Sequence, residues 1–116
     1  MAEKQFALRA DQIKPLVGDK GACFATDMIT VQGRKVGYMY REEPDEDIDS
    51  GWRFMAGDES EEYMDDPKNV AIYDVNTIAN YDPAIIQFLD SPIGSAFQRN
   101  EQSGEFEELD DDDDDD

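Results

Sequence analysis

From Asn100 onward the chain reads NEQSGEFEELDDDDDDD, with eleven carboxylates and no basic residue. Low-complexity sequence with so little apolar surface does not bury enough to offset the entropy of ordering. Residues 101–116 are therefore expected to be a disordered polyacidic tail, and the fold has to be built from residues 1–100 as one small domain. Those hundred residues carry 19 acids against 10 bases, so the body contributes −9 to the total of −20. They also hold 43 of the 45 apolar residues, enough for a modest core.

A field of this sign repels nucleic-acid phosphates and anionic membrane surfaces, and it draws in basic proteins and cations. No nucleic-acid or membrane partner is expected. The absence of histidine and the single Cys23 leave no intramolecular disulfide and none of the usual zinc sites. The N-terminal MAEKQFALRADQ lacks the charged-then-apolar plan of a signal peptide, and no apolar run approaches the length of a membrane span. A cytoplasmic location is the expectation.

Residues 4–17 are broken by Pro15 and read as a short helix or an extended arm. The β-rich runs GACFATDMITV (21–31) and KVGYMYR (35–41) flank QGR, whose Gly33 can take a positive φ, so the simplest arrangement is a hairpin. EEPDEDIDS (42–50) is a loop by composition, and GWRFMAG after it is a strand with Trp52 and Phe54 on one side and Arg53 and Met55 on the other. Asp58 with Glu61 forms a capping-box pattern for a short helix through ESEEYMDD. NVAIYDV (69–75) reads as a strand, Asp82 and Pro83 start a helix through AIIQFL, and IGSAFQR offers a last strand. The fold class is α+β: a small, mostly antiparallel sheet with short helices packed on one side and a disordered acidic C-terminal tail.

Catalytic and metal-binding patterns do not emerge. DEDIDSG (45–51) opens like an EF-hand loop, but Ser50 stands where glycine is needed and Ala56 where the bidentate glutamate belongs. Cys23 has no histidine to activate it and is most simply a small core residue. No phosphate-binding glycine motif is present, and nothing marks a carboxylate pair as buried against apolar neighbours. No cofactor, metal or catalytic residue is assigned.

Residues 38–66 instead combine Tyr38, Tyr40, Trp52 and Tyr63 with twelve acids, the mixture an interface toward a basic partner uses for anchoring and steering. The candidate contacts are Glu42, Glu43, Asp45, Glu46, Asp47 and Asp49 in the loop, with Glu59, Glu61, Glu62, Tyr63, Asp65 and Asp66 around the helix that follows. Strand alternation favours the core for Trp52.

Across residues 22–99 the pieces GYMYREEP, DSGWRFMAGDESEEYMDD, NTIANYDP and DSPIGSAF together resemble the immunity protein 33 family. The resemblance implies a bacterial cytoplasmic, non-enzymatic protein of a polymorphic toxin system that binds and blocks a cognate toxin, and it brings no catalytic residues. It also implies that shared positions describe the scaffold: Trp52 and Phe54 inside, Gly51, Gly57 and Gly94 at turns or close approaches, Asp82 and Pro83 at a helix start. The function expected is neutralisation of a basic toxin through an acidic surface. A stand-alone regulatory or housekeeping domain and an acidic cation-binding protein are the alternatives.

Overall fold

A computed structural model describes residues 6–8, 10–18, 20–44, 47–57, 59–100 and 102–109. Six strands, β1 (Ala22–Thr26), β2 (Tyr38–Arg41), β3 (Asp49–Met55), β4 (Val70–Asp74), β5 (Ala96–Arg99) and β6 (Phe106–Glu108), form one sheet in the order β4-β1-β3-β2-β5-β6. β1 and β3 run parallel, and every other pairing is antiparallel. Among the described residues, three short helices, α1 (Asp27–Thr30), α2 (Glu61–Asp65) and α3 (Val75–Tyr81), and a 3-10 turn over Pro83–Phe88 complete an α+β architecture.

One face of the sheet carries the core. Cys23, Ala25, Met39, Trp52, Phe54 and Phe97 point from β1, β2, β3 and β5 toward Ile29 of α1, Val75, Ile78 and Ala79 of α3, and Ile85 and Leu89 of the following turn. Trp52 is 1 % exposed, stacks on Phe54 with ring centroids 5.9 Å apart, and donates its indole N–H to the Leu89 carbonyl at 3.2 Å. That bond satisfies the one polar atom a buried tryptophan brings with it.

The hairpin expected between residues 21–31 and 35–41 does not form. Asp27–Thr30 coils into α1, because Ile29 and Thr30 are buried fully when the chain turns under the sheet, and tertiary burial outweighs the β preference of the run. Gly33 does take φ +76°, but its N–H bonds back to the Ile29 carbonyl at 3.0 Å, ending a helical turn in place of linking two strands. β2 pairs with β3 and β5, leaving β1 to lie beside β3 in parallel.

Three other expectations shift. α2 is capped by Ser60, whose hydroxyl accepts from the Tyr63 N–H at 3.1 Å; Asp58, the expected cap, lies outside the described residues. NTIANY, expected only as a lead-in to Asp82, is itself helical as α3, with Val75, Ile78, Ala79 and Tyr81 buried at helical spacing. The chain beyond Asn100, expected to stay unpaired, adds β6 to the sheet edge. Phe106 packs edge-on against Phe88 at 5.5 Å and under the Arg99 guanidinium at 4.5 Å, so one aromatic supplies the burial that composition seemed to deny this segment. Residues 110–116, the polyaspartate run, lie outside the described residues.

The N-terminal arm has a 3-10 turn at Ala10–Gln12 and is then clasped by α3. Asn76 accepts from the N–H groups of Leu16 and Val17, Asn80 accepts from Lys14 N–H, and both amides donate to the Lys14 carbonyl. Their i, i+4 spacing puts both on one side of α3. Asp82, 3 % exposed, starts the Pro83–Phe88 turn by accepting from Ala84 N–H, and it also accepts from Val36 N–H and pairs with Arg99. A helix-start aspartate thereby ties the end of β5 to the segment leading into β2.

Candidate functional site

The second face of the sheet is built differently. Strand alternation turns Phe24, Tyr38, Tyr40, Arg53, Met55 and Ile72 away from the core, and cross-strand register aligns them: Ile72 beside Phe24, Phe24 beside Arg53, Arg53 beside Tyr40, and Tyr38 beside Met55. No described helix covers the middle of this face; Phe24, Tyr38, Tyr40 and Met55 are half-buried and Ile72 is 63 % exposed. The Tyr38 and Tyr40 rings pack against each other with centroids 5.6 Å apart.

Arg53 sits at the centre and is only 7 % exposed. Its guanidinium lies 4.5 Å over the Phe24 ring, donates to both Asp49 oxygens at 3.0 and 2.9 Å, and donates through Nε to Glu42 at 2.6 Å. Burial alone would disfavour its charge, but the bonds to Asp49 and Glu42 outweigh that and hold its pKa above the ordinary arginine value. Burial first, and then the Glu42 carboxylate, push the Tyr40 phenol up from its usual range.

Gly51 makes this arrangement possible. It takes φ +90°, and a Cβ there would stand 2.2 Å from the Glu42 carbonyl, so only glycine lets the start of β3 lie against the end of β2. Gly57 and Gly94 also take positive φ, at +111° and +99°.

The sequence-selected acids separate into two groups. Glu42 and Asp49 are partners of Arg53. Glu59 is a staple: one oxygen accepts from Thr26 Oγ1 at 2.6 Å and Ala56 N–H at 2.7 Å, the other from Gly57 N–H at 2.9 Å. Asp66 starts the 3-10 turn Pro67–Asn69 by accepting from Lys68 N–H, and the Tyr63 carbonyl receives the Asn69 amide. Glu43 and Asp47 in the loop and Glu61, Glu62 and Asp65 on α2 are exposed, at the two ends of the uncovered face: Glu42 ties the loop to Arg53, and Glu59 ties the approach to α2 to Thr26. Asp45 and Glu46 lie outside the described residues.

Sequence reasoning missed Phe24 and Arg53 as parts of a site. The signal was present: Asp49 and Arg53 are four residues apart in a strand, which places them on one face, opposite Trp52 and Phe54.

Among known families, the immunity protein Imm33 domain matches residues 23–110. The chain belongs to this family. The match to the Imm33 domain runs from the second residue of β1 through β6, so it takes in all of the sheet but Ala22, including the edge strand past residue 100. No curated protein and no solved structure matches the chain. Both the Arg53 cluster and the exposed acids fall within the Imm33 match. Cys23 also falls within it, 1 % exposed, with burial pushing its thiol far above the ordinary range, which is the state of an inert core thiol. No described helix of this Imm33 protein is long and apolar enough to cross a membrane.

Proposed function

We propose that this Imm33 protein is a non-enzymatic cytoplasmic antidote that binds a cognate basic toxin and blocks it through an acidic surface. The family match over residues 23–110 carries the reading. The exposed carboxylates support the polarity of the partner: Glu43, Asp47, Glu61, Glu62 and Asp65 stand in a chain of net charge −20. Such a surface accelerates encounter with a basic protein and contributes most at low salt. Glu42, Asp49 and Glu59 serve that surface indirectly, by fixing the loop and the approach to α2.

The test is co-expression with any toxin found encoded beside its gene, followed by affinity measurement over a salt series. Protection of the cells, and an affinity that falls with salt and drops at least tenfold when Glu43, Asp47, Glu61, Glu62 and Asp65 are all changed to lysine, supports the reading. Affinity unchanged by those reversals removes the acidic surface from it, and a toxin left active removes the antidote role.

A further inference from the structure

We propose that the uncovered sheet face, centred on the Tyr38–Tyr40 pair, is the docking surface for a basic protein segment, which lays an arginine or lysine side chain over the tyrosine rings. The inference rests on the binding-protein reading for its physiological partner and moves the anchor of that interaction from the acidic loops to the sheet.

Three observations converge on it. First, the face is aromatic and half-open. Tyr38 and Tyr40 pack at a tilt, with ring centroids 5.6 Å apart, on the strand next to β3, and neither they nor Phe24, Met55 or Ile72 belongs to the core cluster. An aromatic surface of this kind with polar edges is what interface anchors look like.

Second, its charge is one-sided. Its central cation, Arg53, is matched by two carboxylates, Asp49 and Glu42. Glu42 remains 50 % exposed beside Tyr40, and Glu107, aligned through Gln98 with Tyr38, brings a further exposed carboxylate to the far side of the same face. An incoming cation therefore meets an aromatic floor between carboxylates.

Third, the chain already holds a cation in this way. Arg53 lies 4.5 Å over Phe24 with carboxylates at its edges, and the Tyr38–Tyr40 pair repeats that combination of ring and nearby acid on the other side of β3. A guanidinium or ammonium on a tyrosine face gains attraction from the ring quadrupole, and more as water is excluded. Acids alone would attract any basic chain. The rings add the desolvated contact that converts attraction into a defined seat.

The experiment is a titration of the full ¹⁵N-labelled chain with an N-acetylated hexa-arginine amide at physiological salt, read by amide chemical shifts. A citrulline peptide of equal length serves as the uncharged control. Saturable shifts centred on residues 24, 38–41 and 53–55, absent with the citrulline peptide, support the proposal. Shifts confined to α2 and the acidic residues after Glu105 overturn it.

Changing Tyr38 and Tyr40 together to serine should weaken binding at this face about tenfold, the scale of a partly desolvated cation–π contact. Tyr38→Phe with Tyr40→Phe should stay within about twofold, because the rings remain. The buried Trp52 indole resonance reports whether each variant is folded, and the wild-type shift map decides the matter by itself if the serine variant is not. A face that seats the peptide in a chain that fails to protect cells retains this inference and rejects the antidote role. Protection with no shifts on the face does the reverse.

Discussion

The two faces of the sheet use aromatic residues to opposite ends. On the covered face, Trp52, Phe54 and Phe97 are at most 5 % exposed and packed under α1, α3 and the Pro83–Phe88 turn, with the one indole N–H paired. On the uncovered face, Phe24, Tyr38 and Tyr40 stay partly in contact with water and share their surface with a buried arginine and two carboxylates. The first arrangement stabilises by removing apolar area from water; the second is held together by charge-assisted bonds that gain little net stability but fix geometry. Neighbouring positions of one strand, Trp52 and Arg53, divide these tasks between them.

The contrast predicts unequal sensitivities, the largest at Trp52. Trp52→Ala removes the centre of the core stack and leaves the Leu89 carbonyl without its indole donor, so it should lower stability by about 3–5 kcal/mol. A urea melt followed by far-UV circular dichroism measures this, and a loss below about 1 kcal/mol would contradict the division of the two faces. Next is Arg53→Met, which keeps the stem over Phe24 and removes the charge. Asp49, with its side chain only 15 % exposed, would lose its cation, whereas the half-exposed Glu42 can turn to water. A loss of about 2 kcal/mol is expected, most of it reproduced by Asp49→Asn and little of it by Glu42→Gln.

Much of the covered face was legible in the sequence. GWRFMAG alternates with period two, and the Asp82-Pro83 pair announces its turn, since both patterns are local. The pairing of strands was not legible. Whether 21–31 meets 35–41 depends on Ile29 and Thr30 reaching a core assembled from α3 and β3, and no local propensity records that. β6 escaped for a related reason: its burial comes from one residue, Phe106, meeting Phe88 and Arg99 from distant parts of the chain, inside a stretch whose composition reads as tail. The acids selected as contacts were legible as charges but not as partners. Sequence alone could not show that Glu59 closes on Thr26, or that Asp49 and Glu42 enclose Arg53.

The two faces should also differ in how they respond to alkali. Burial raises the pKa of Cys23 on the covered face and, with the help of Glu42, that of Tyr40 on the uncovered face. A group whose folded pKa is raised keeps its proton in the native state while the unfolded chain releases it, so stability is lost as pH rises past the unfolded value. For Cys23 the loss begins near the ordinary thiol value of about 8.5 and grows by about 1.4 kcal/mol for each further pH unit. Chemical denaturation between pH 7 and pH 10 should therefore show a decline of about 2 kcal/mol from this thiol. Cys23→Ala should start lower, because a core atom is missing, and flatten that part of the profile. An unchanged slope would move the alkaline sensitivity away from the covered face.

The smallest effect is expected at Ile72, and it tests the comparison from the other side. Its side chain lies on the uncovered face beside Phe24, 63 % exposed on the edge strand β4, so its apolar surface has hardly left the water on folding. Ile72→Thr keeps the β-branch that suits a strand and replaces one carbon group by a hydroxyl already in contact with solvent, for a change of no more than about 0.5 kcal/mol. The same substitution at Ile78, fully buried under the covered face, would put an unpaired hydroxyl into the core and lose a methylene and methyl contact there, at about 2 kcal/mol or more. Paired thermal melts of the two variants measure the ratio directly. Equal losses would mean that another part of the protein covers Ile72, and the uncovered face would then be an interior surface with no room for a partner.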